Sequence, residues 1–406
     1  MTPQVLIVGG GMITHDQLLP SLYHIQRQGR IGEIGVCSLR GRDLRPLLKA
    51  ADLNAAFPGQ SFRPHPDGSA SSRPHPHLLR ELIAQMPAGN IVFVAVPDHL
   101  HFGVIMEALG GGQHVCSVKP LVLKHCQALQ IEREAHARGL FVGIDYHKRF
   151  DDRNLMARRN YRAGLFGEFK LGAACLLEKW YYRESNFQNW MTTENSDAFT
   201  YVGCHYVDLV HFITGLLPVS VSVYGIRDRF PNGKEGFLWT DARVIWNNGA
   251  CLNVQNALGF PNAAPGSNRQ GLVMYCKGEN DGALISHSDQ YRGVEYSYTR
   301  KGREAGATVY SEPSPDYFQY LDFDGAGLTP VGYGYRSVES LIESCMRVEA
   351  AGVERAGRQR ILKEIDATGI IATPANSSYN ESVIEAARDS ILNDGATVTV
   401  QQVKNV

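Results

Sequence analysis

Continuous apolar runs, separated by segments with helical spacing, dominate the first part of the chain. Residues 4–8 and 90–96 are almost entirely apolar, a pattern typical of strands buried on both faces of a parallel sheet. The predicted strands are residues 4–8, 34–38, 90–96, 114–118 and 140–145, and the predicted helices are residues 13–28, 102–109 and 124–138. This alternation predicts an α/β domain with a doubly wound parallel sheet over residues 1–148.

After about residue 150 the pattern changes to period-two strands that are rich in aromatic residues and joined by long polar connections. The predicted strands are residues 219–224, 242–246, 250–255, 272–276 and 283–286, and two helices follow at residues 338–349 and 381–393. Period-two alternation indicates a large, mostly antiparallel open sheet with one buried face. Residues 149–406 are therefore predicted to form a second α/β domain. The proline-rich segment 58–77 is interpreted as a solvated loop.

The charges of the chain nearly balance, with 40 Lys and Arg against 41 Asp and Glu and a net charge of −1. This balance argues against nucleic acid as the main partner. The sequence shows no signal peptide and no apolar run of membrane-spanning length, so we expect a cytoplasmic protein that does not enter a membrane. The eight cysteines are dispersed and include no C-x-x-C pair, so neither a metal site nor a disulfide framework is indicated.

The first predicted strand runs directly into a glycine turn and a helix. Gly9 and Gly11 are predicted to supply the tight turn and the close backbone approach, and Met12 and Ile13 open the helix. The free N–H groups and the positive end of such a helix bind a pyrophosphate. Thr14 replaces the third glycine of the G-x-G-x-x-G pattern, so the helix must pack on the strand with a side chain in place. The turn predicts a dinucleotide-binding site.

Several ordered motifs resemble one known family. Residues 94–101 read VAVPDHLH and residues 113–120 read QHVCSVKP, and three further segments agree in order and spacing: residues 146–151, 164–168 and 203–209. This combination resembles the Gfo/Idh/MocA family, which includes glucose-fructose oxidoreductases and inositol dehydrogenases. The resemblance implies an N-terminal Rossmann domain that binds NAD(P), a C-terminal α/β domain for substrate binding and oligomerisation, a homo-oligomer, and a sugar or cyclitol as substrate.

The resemblance also implies which side chains carry the reaction. Hydride transfer from a carbinol carbon needs a base for the hydroxyl proton and positive charge where alkoxide character develops. Lys119 follows the predicted strand 114–118, the fifth strand of the sheet by resemblance, and is predicted to polarise the reacting oxygen and to contact the nicotinamide ribose. His205 is the predicted acid/base, since an imidazole titrates near neutral pH. The alternative interpretations are a solvated loop lysine and a buried structural histidine.

Two carboxylates common in the family are absent. Val118 stands where Glu usually precedes the lysine, and Tyr201 stands where Asp usually lies four residues before the histidine. The phenol of Tyr201 is predicted to donate a hydrogen bond to a sugar hydroxyl or to join proton transfer, provided that the segment is helical and shares a face with His205. A packed aromatic ring is the equal alternative.

The end of the second strand bears on the choice of cofactor. An NAD site usually places a carboxylate there to bind the ribose hydroxyls, whereas this chain has Ser38, Arg40 and Arg42. These residues are predicted to accommodate a 2′-phosphate, which favours NADP. Pro97, Asp98 and His101 are predicted to line the cofactor edge. Asp98 has the alternative role of capping the following helix, and His101 that of a structural residue.

Aromatic residues near residue 180 suggest a site for a sugar. Trp180 lies in a segment that combines aromatic, amide and charged side chains, which together stack on pyranose rings and bind hydroxyls. The alternative is a subunit interface, where the same residue types are enriched. His147, at the crossing between the predicted domains, is a further expected substrate contact.

These observations favour an NAD(P)-dependent oxidoreductase that acts on a ring secondary alcohol of a sugar, glycoside or cyclitol. A second hypothesis within enzymes is glycoside cleavage or elimination driven by transient ring oxidation, with the cofactor retained. A third hypothesis is a sensor or regulator that binds a dinucleotide and a sugar without turnover. The missing carboxylates keep the sensor hypothesis open, and the presence of Lys119 and His205 favours an enzyme.

Overall fold

The structure is a computed structural model and describes residues 2–67, 72–264, 266, 268–279, 281–288, 296–298, 309–311 and 317–401. The chain divides into two compact units. The first unit joins Met1–His147 to Tyr320–Ser378, and the second joins Lys148–Gln319 to Tyr379–Val406. The first boundary lies one residue before the expected one. Residues 320–378, expected in the second domain, belong to the first unit.

Strands alternate with helical segments in the first part of the chain, whereas strands follow one another in much of the second part. The strands are β1 Val5–Val8, β2 Ile34–Cys37, β3 Arg63–His65, β4 Ile91–Val94, β5 His114–Val118, β6 Val142–Asp145, β7 Glu168–Lys179, β8 Pro218–Arg229, β9 Glu235–Trp246, β10 Cys251–Phe260, β11 Asn268–Lys277, β12 Gly282–Ser288, β13 Tyr296–Tyr298, β14 Val309–Ser311, β15 Gln319–Leu321, β16 Thr329–Val331 and β17 Val398–Thr399. The helices are α1 Leu19–Arg27, α2 Arg45–Leu48, α3 Ala51–Ala56, α4 Leu78–Gln85, α5 His101–Gly110, α6 His125–Arg138, α7 Asp152–Arg162, α8 Tyr182–Ser185, α9 Cys204–Thr214, α10 Tyr333–Ala350, α11 Arg355–Thr368, α12 Pro374–Ser377 and α13 Tyr379–Leu392.

The first unit is built on a six-stranded parallel sheet with the order β3-β2-β1-β4-β5-β6. The order reverses between β1 and β4, and such a reversal is where open α/β sheets bind ligands, outside the carboxyl ends of the strands. The predicted doubly wound fold is confirmed. All four residues of β1 and of β4 are buried, as their continuous apolar sequences indicated.

The segment predicted as a proline-rich loop contains a strand. β3 pairs in parallel with β2, and Arg63 lies opposite Gly35, so this part of the interpretation of residues 58–77 is wrong. β3 has three residues and two of them are Arg63 and Pro64, which explains why no apolar run marked it: an edge strand tolerates proline and charge. Residues 68–71 of the same segment lie outside the described residues.

Two helices from late in the chain complete the core of the first unit. Val338, Leu341 and Ile342 of α10 are fully buried in one cluster with Ile7 and Phe93 of the sheet. The spacing of three and four residues places these side chains on one face of α10. Burial of this face against the parallel sheet is the physical reason why residues 320–378 join the first unit.

The second unit is built on a seven-stranded sheet with the order β12-β11-β7-β10-β9-β8-β17. β7 and β10 pair in parallel, and the other five pairings are antiparallel, which confirms the predicted mostly antiparallel sheet. The sequence did not reveal β7, although it lies at the middle of the sheet. Gly172 and two alanines interrupt its apolar pattern, and adding a Cβ at Gly172 would bring it within 2.9 Å of the Val273 carbonyl oxygen.

Over the described part of the chain, no helix combines the length and the apolar character needed to cross a membrane.

Candidate functional site

The glycine turn after β1 is fixed by contacts of its own backbone. Gly9 has φ +116°, and a Cβ there would stand 2.1 Å from the Ala95 carbonyl oxygen, so no other residue fits. Its N–H donates to the Cys37 carbonyl oxygen at 2.8 Å. At Gly11, by contrast, a Cβ would meet no described atom within 4 Å. The turn is thus packed at Gly9 and open at Gly11.

Thr14 lies where the glycine pattern has its third glycine, and its side chain is accommodated by a hydrogen bond. The Thr14 hydroxyl donates to the Gly9 carbonyl oxygen at 2.7 Å, and the residue is fully buried. Thr14–Leu18 forms a π-helical turn that leads into α1. Met12 and Ile13, half-buried, already have helical conformation, so their N–H groups lie at the open end of the helix. This arrangement fits a dinucleotide pyrophosphate.

The residues predicted to select the cofactor lie just beyond β2. The Ser38 hydroxyl donates to the Arg40 carbonyl oxygen at 2.7 Å, and its N–H donates to the His65 carbonyl oxygen at 2.9 Å. Arg42 is about half exposed, and its Nε lies 3.6 Å from the Asp43 carboxylate. Arg40 is half-buried. Ser38 therefore shapes the loop, and Arg42 shares its charge with Asp43.

The carboxyl end of β4 carries three further predicted residues. The Pro97 carbonyl oxygen accepts from the Leu100 N–H at 2.9 Å, which closes a short 3-10 turn. Asp98 is buried within this turn. The N-cap position of α5 is Leu100, which has no side-chain cap of its own.

His101 connects the ends of β4 and β5. One ring nitrogen, Nδ1, lies 2.8 Å from the Pro120 carbonyl oxygen, and Nε2 lies 2.8 Å from the Val96 carbonyl oxygen. The ring is fully buried, as expected of a structural residue. Lys119 directly follows β5, is half-buried and precedes Pro120 across a cis peptide bond. The turn that carries Lys119 is therefore tied to the carboxyl edge of the sheet.

In the second unit, His205 is the second residue of α9 and is almost fully buried. The next residue, Tyr206, has the Lys148 ammonium 5.4 Å from the centre of its ring. Lys148 is itself buried and donates to the Gln270 side chain at 2.6 Å. Sequence reasoning missed both Lys148 and Gln270. Lys148 stands inside a segment that carried the family resemblance, whereas Gln270 lies in β11 and only strand pairing places it here.

Tyr201 belongs to a second π-helical turn, Phe199–Gly203, which precedes α9. Its ring packs edge-on against Phe187, with centroids 4.9 Å apart, and lies 5.6 Å from the Trp190 ring. These contacts support the packed-aromatic alternative for the ring. Gly203 allows the turn to approach the sheet closely, because a Cβ there would meet the Asn256 Oδ1 atom at 2.5 Å.

A buried ion pair holds α9 in the second unit. Both Asp208 oxygens accept from Arg149, at 2.8 Å from Nε and 2.6 Å from Nη2. The Tyr379 hydroxyl donates to the same carboxylate at 2.9 Å, and burial raises the Tyr379 pKa. His211 stacks on the Tyr379 ring at 4.0 Å, and burial lowers the His211 pKa to about 4. His211 is therefore neutral near pH 7.

The two remaining predicted substrate residues lie in different units. Trp180, in the second unit, is 47% exposed, and the Arg183 guanidinium lies 3.7 Å from the centre of its ring. One ring face is thus occupied by a cation. His147, in the first unit, is half-buried and lies 5.7 Å from the Tyr333 ring.

Comparison with known proteins decides the family. Residues 4–146 match the Gfo/Idh/MocA oxidoreductase family with an NAD-binding Rossmann fold. The chain carries the Gfo/Idh/MocA NAD-binding domain. The family recognised in the sequence is confirmed for residues 4–146. The matched residues include the glycine turn and Lys119, whereas His205 and Tyr201 lie beyond them.

Two curated proteins illustrate the relatives of this chain. An uncharacterized oxidoreductase of Schizosaccharomyces pombe is 29% identical over 90 residues, which are 22% of this chain and 24% of that protein. D-glucoside 3-dehydrogenase of Escherichia coli is 24% identical over 230 residues, 55% of this chain and 58% of that protein. The chain thus matches between about a quarter and three-fifths of the length of these relatives.

Solved structures share the fold along nearly the whole chain. GenD2 from gentamicin A biosynthesis, in complex with NAD, is 16% identical with a TM-score of 0.66, covering 99% of this chain and 97% of that one. Scyllo-inositol dehydrogenase from Lactobacillus casei, with NAD(H) and scyllo-inositol bound, is 15% identical with a TM-score of 0.61, covering 98% and 99%. At these identities the likeness shows the fold alone.

Proposed function

We propose that this protein is an NAD(P)-dependent oxidoreductase that transfers a hydride between the nicotinamide and a ring secondary alcohol of a sugar, glycoside or cyclitol. The observation that carries the proposal is the anchoring of the Lys119 turn at the carboxyl edge of the Rossmann sheet, through His101. Ligands of such sheets bind at this edge. An ammonium there stabilises negative charge that develops on a reacting oxygen.

The bound nicotinamide supplies the hydride acceptor for alcohol oxidation. In that direction the carbinol C–H bond breaks and its electron pair leaves with the hydride, while the hydroxyl oxygen loses its proton and the O–H electron pair completes the C=O bond. We assign acceptance of the proton to the neutral imidazole of His205, which then returns it to solvent. Lys119 holds the alcohol oxygen while its negative charge grows. The products are the ketone, the reduced nicotinamide and one proton.

Polar groups near His205 support a substrate with several hydroxyls. Lys148 and Gln270 form a buried hydrogen-bonded pair beside Tyr206, and amide and ammonium groups of this kind bind sugar hydroxyls. Two relatives act on or bind such compounds according to their names: a D-glucoside 3-dehydrogenase and a scyllo-inositol dehydrogenase. We propose a glucoside or an inositol as the substrate class, with Trp180, Tyr201 and His147 as further contacts.

For the cofactor we propose NAD(P) with a preference for NADP. The loop after β2 carries the Arg40 and Arg42 cations, and its first side chain, Ser38, is neutral. A guanidinium suits the 2′-phosphate because it forms paired, charge-assisted hydrogen bonds. The nearby Asp43 reduces the positive charge at Arg42, so Arg40 is proposed as the main contact.

We also propose that the protein is a cytoplasmic homo-oligomer. Leu171, Tyr275 and Leu284 lie in one row across β7, β11 and β12, and all three are exposed. An exposed apolar row on an open sheet is a typical interface. Light scattering of the wild type and of Tyr275→Asp tests this. We expect a multimer for the wild type and a smaller species for the variant. A monomeric wild type would contradict the proposal.

The deciding experiment adds purified protein to NAD or NADP with a panel of methyl glucosides and inositols and follows the absorbance of the reduced nicotinamide. We expect reduction with at least one of these alcohols and its loss in Lys119→Ala. Glycoside cleavage without net reduction of added cofactor would instead favour redox-assisted cleavage. Tight dinucleotide and sugar binding without either reaction would favour the sensor hypothesis and overturn the enzyme.

A further inference from the structure

Asp145 places a buried carboxylate at the carboxyl end of β6. It is 3% exposed. Its Oδ2 accepts from the Gln17 side-chain amide at 2.9 Å, and its Oδ1 accepts from the Ser337 hydroxyl. Gln17 also donates to the Gly334 carbonyl oxygen at 3.0 Å and lies on the π-helical turn that follows the glycine turn. One carboxylate therefore connects the dinucleotide-binding turn with α10.

Strand register brings this carboxylate beside the lysine turn. Val118, the last residue of β5, pairs with Asp145 of β6, and Lys119 is the next residue. Burial raises the Asp145 pKa, whereas the Ser337 and Gln17 hydrogen bonds and the positive charge of Lys119 lower it. Burial has the larger effect, and the resulting pKa is about 6. Burial raises the pKa of Cys116 in β5, and Cys345 and the Asp145 charge raise it further. Lys119 is thus the cation that acts on Asp145.

Asp145 also bears on a position where this sequence differs from the pattern of the family it resembles. The resemblance leads us to expect a glutamate immediately before the lysine, and this chain has Val118 there. We propose that Asp145 is the positioning residue for Lys119. It supplies from β6 the negative charge that Val118, the last residue of β5, does not provide. The role rests on the proposed function, because it concerns the lysine assigned to the reacting oxygen.

The energetic setting supports a functional role over a structural one. A buried carboxylate loses hydration, and two neutral hydrogen bonds restore it only in part. Asparagine has nearly the same shape: its amide oxygen would accept from Gln17, and its amide nitrogen would donate to the Ser337 hydroxyl, which would turn to accept. The one feature that asparagine cannot supply is the negative charge that interacts with Lys119.

The first experiment measures this interaction without any substrate. NMR of protein labelled with carbon-13 at the aspartate carboxyls follows the titration of Asp145 in the full-length wild type, Lys119→Gln and the control Lys124→Gln. We expect the titration midpoint to rise by roughly half a unit or more in Lys119→Gln, since a nearby positive charge is lost, and to stay unchanged in Lys124→Gln. An equal midpoint in all three proteins would overturn the proposal.

The second experiment measures the consequence for turnover, once a substrate has been found. In Asp145→Asn we expect kcat to fall about tenfold, KM and the dinucleotide Kd to stay within about twofold, and the decline of kcat as pH falls through about 6 to become less steep, because His205 still titrates and Asp145 no longer does. Glu349→Gln, which removes a carboxylate elsewhere in the first unit, is expected to match the wild type. Wild-type kcat and pH profile in Asp145→Asn would overturn the role.

The two experiments separate the two proposals. If no alcohol is oxidised but Lys119→Gln shifts the Asp145 titration, the proposed function fails and the pairing of Asp145 with Lys119 stands. If an alcohol is oxidised and the titration does not move, the function stands and the positioning role fails. The titration needs no Asp145 variant, so it decides the pairing even if Asp145→Asn does not fold.

Discussion

The Thr14 hydroxyl donates a hydrogen bond of 2.7 Å to the Gly9 carbonyl oxygen. The bond joins the first residue of the π-helical turn to the glycine with positive φ. A residue that breaks the glycine pattern therefore stabilises the turn from within, because its side chain satisfies a carbonyl group of the turn.

Thr14→Val keeps the shape of the side chain and removes this bond. We expect the free energy of unfolding of the variant to fall by about 1 kcal/mol and its affinity for the dinucleotide to fall severalfold, because the turn is less well fixed. Thr14→Ser keeps the hydroxyl and should retain most of both. Calorimetric titration with NAD and NADP and thermal unfolding measure these quantities. Equal dinucleotide affinity in Thr14→Val and Thr14→Ser would contradict the role of the hydroxyl.

Lys119→Ala is expected to lower kcat by roughly 10²–10³-fold, the usual effect of losing an oriented group at a developing oxyanion. Dinucleotide affinity should change little, because binding rests on the glycine turn. Steady-state kinetics and titration of the cofactor test both statements. Lys124→Ala removes a charge five residues away and serves as the control. Near-normal kcat in Lys119→Ala would remove Lys119 from the proposed site.

His205→Asn is expected to abolish one ionisation from the pH profile of alcohol oxidation. The wild-type rate should rise with pH as the imidazole loses its proton, since only the neutral ring accepts the hydroxyl proton. Tyr201→Phe should have a smaller effect, because the Tyr201 ring packs against Phe187 and Trp190. An unchanged profile in His205→Asn would transfer the base role to another group.

Arg40→Ala is expected to weaken NADP binding by roughly 1.5–3 kcal/mol, the range for a charged hydrogen bond, and to leave NAD binding nearly unchanged. Arg42→Ala should have a smaller effect, because the Arg42 guanidinium lies beside Asp43. Titration calorimetry of both variants with both dinucleotides gives the comparison. Tight NAD binding by the wild type without NADP binding would show that the preference is wrong.

Asp145 makes the stability of the protein depend on pH. Its pKa of about 6 in the folded protein lies above that of an unfolded aspartate, so the folded state binds the proton more tightly. Between the unfolded and the folded pKa of Asp145, the free energy of unfolding falls as pH rises. At higher pH the ionised carboxylate destabilises the fold by up to roughly 3 kcal/mol. The thermal stability of Asp145→Asn relative to the wild type should therefore increase as pH rises from about 4 to about 6 and stay constant at higher pH.

Glu349→Gln provides a control of opposite sign. Burial raises the Glu349 pKa, but His114 and Arg358 lower it by more, and the result is a lowered pKa. This carboxylate stabilises the fold when ionised, so Glu349→Gln should lose stability relative to the wild type as pH rises towards 4.5, and the difference should stay constant above that pH. The same trend in both variants would contradict the assigned pKa directions.

The elements with the clearest apolar patterns could be predicted from sequence. β5 begins and ends where its pattern indicated, and β1 and β2 differ by one residue at one end. β3 and β7 could not be predicted in this way. A three-residue edge strand with proline has too few buried side chains to form a pattern, and glycine and alanine weaken the pattern of β7 although its neighbours bury it.

Only those parts of the candidate site that lie in local sequence motifs could be predicted. The glycine turn, Lys119 and His205 stand in local motifs with defined spacing. Gln270 and Asp145 gain their surroundings from strand pairing, over separations of 122 and 128 residues from Lys148 and Gln17. A sequence without aligned relatives contains no signal for such pairs. The π-helical turns could not be predicted either, since their apolar spacing is close to that of an α-helix.

Because residues 320–378 belong to the first unit, they constrain the order in which a newly made chain folds. The parallel sheet is complete once residue 145 has left the ribosome, but α10 and α11, which bury its apolar side chains, are synthesised about 190 residues later. Nascent domains generally fold as units from the amino end. Here the amino-terminal unit must wait, with apolar surface exposed, while most of the other unit emerges. A fragment that stops at residue 148 should accordingly associate or bind chaperones, and adding residues 320–378 as a separate chain should restore its solubility.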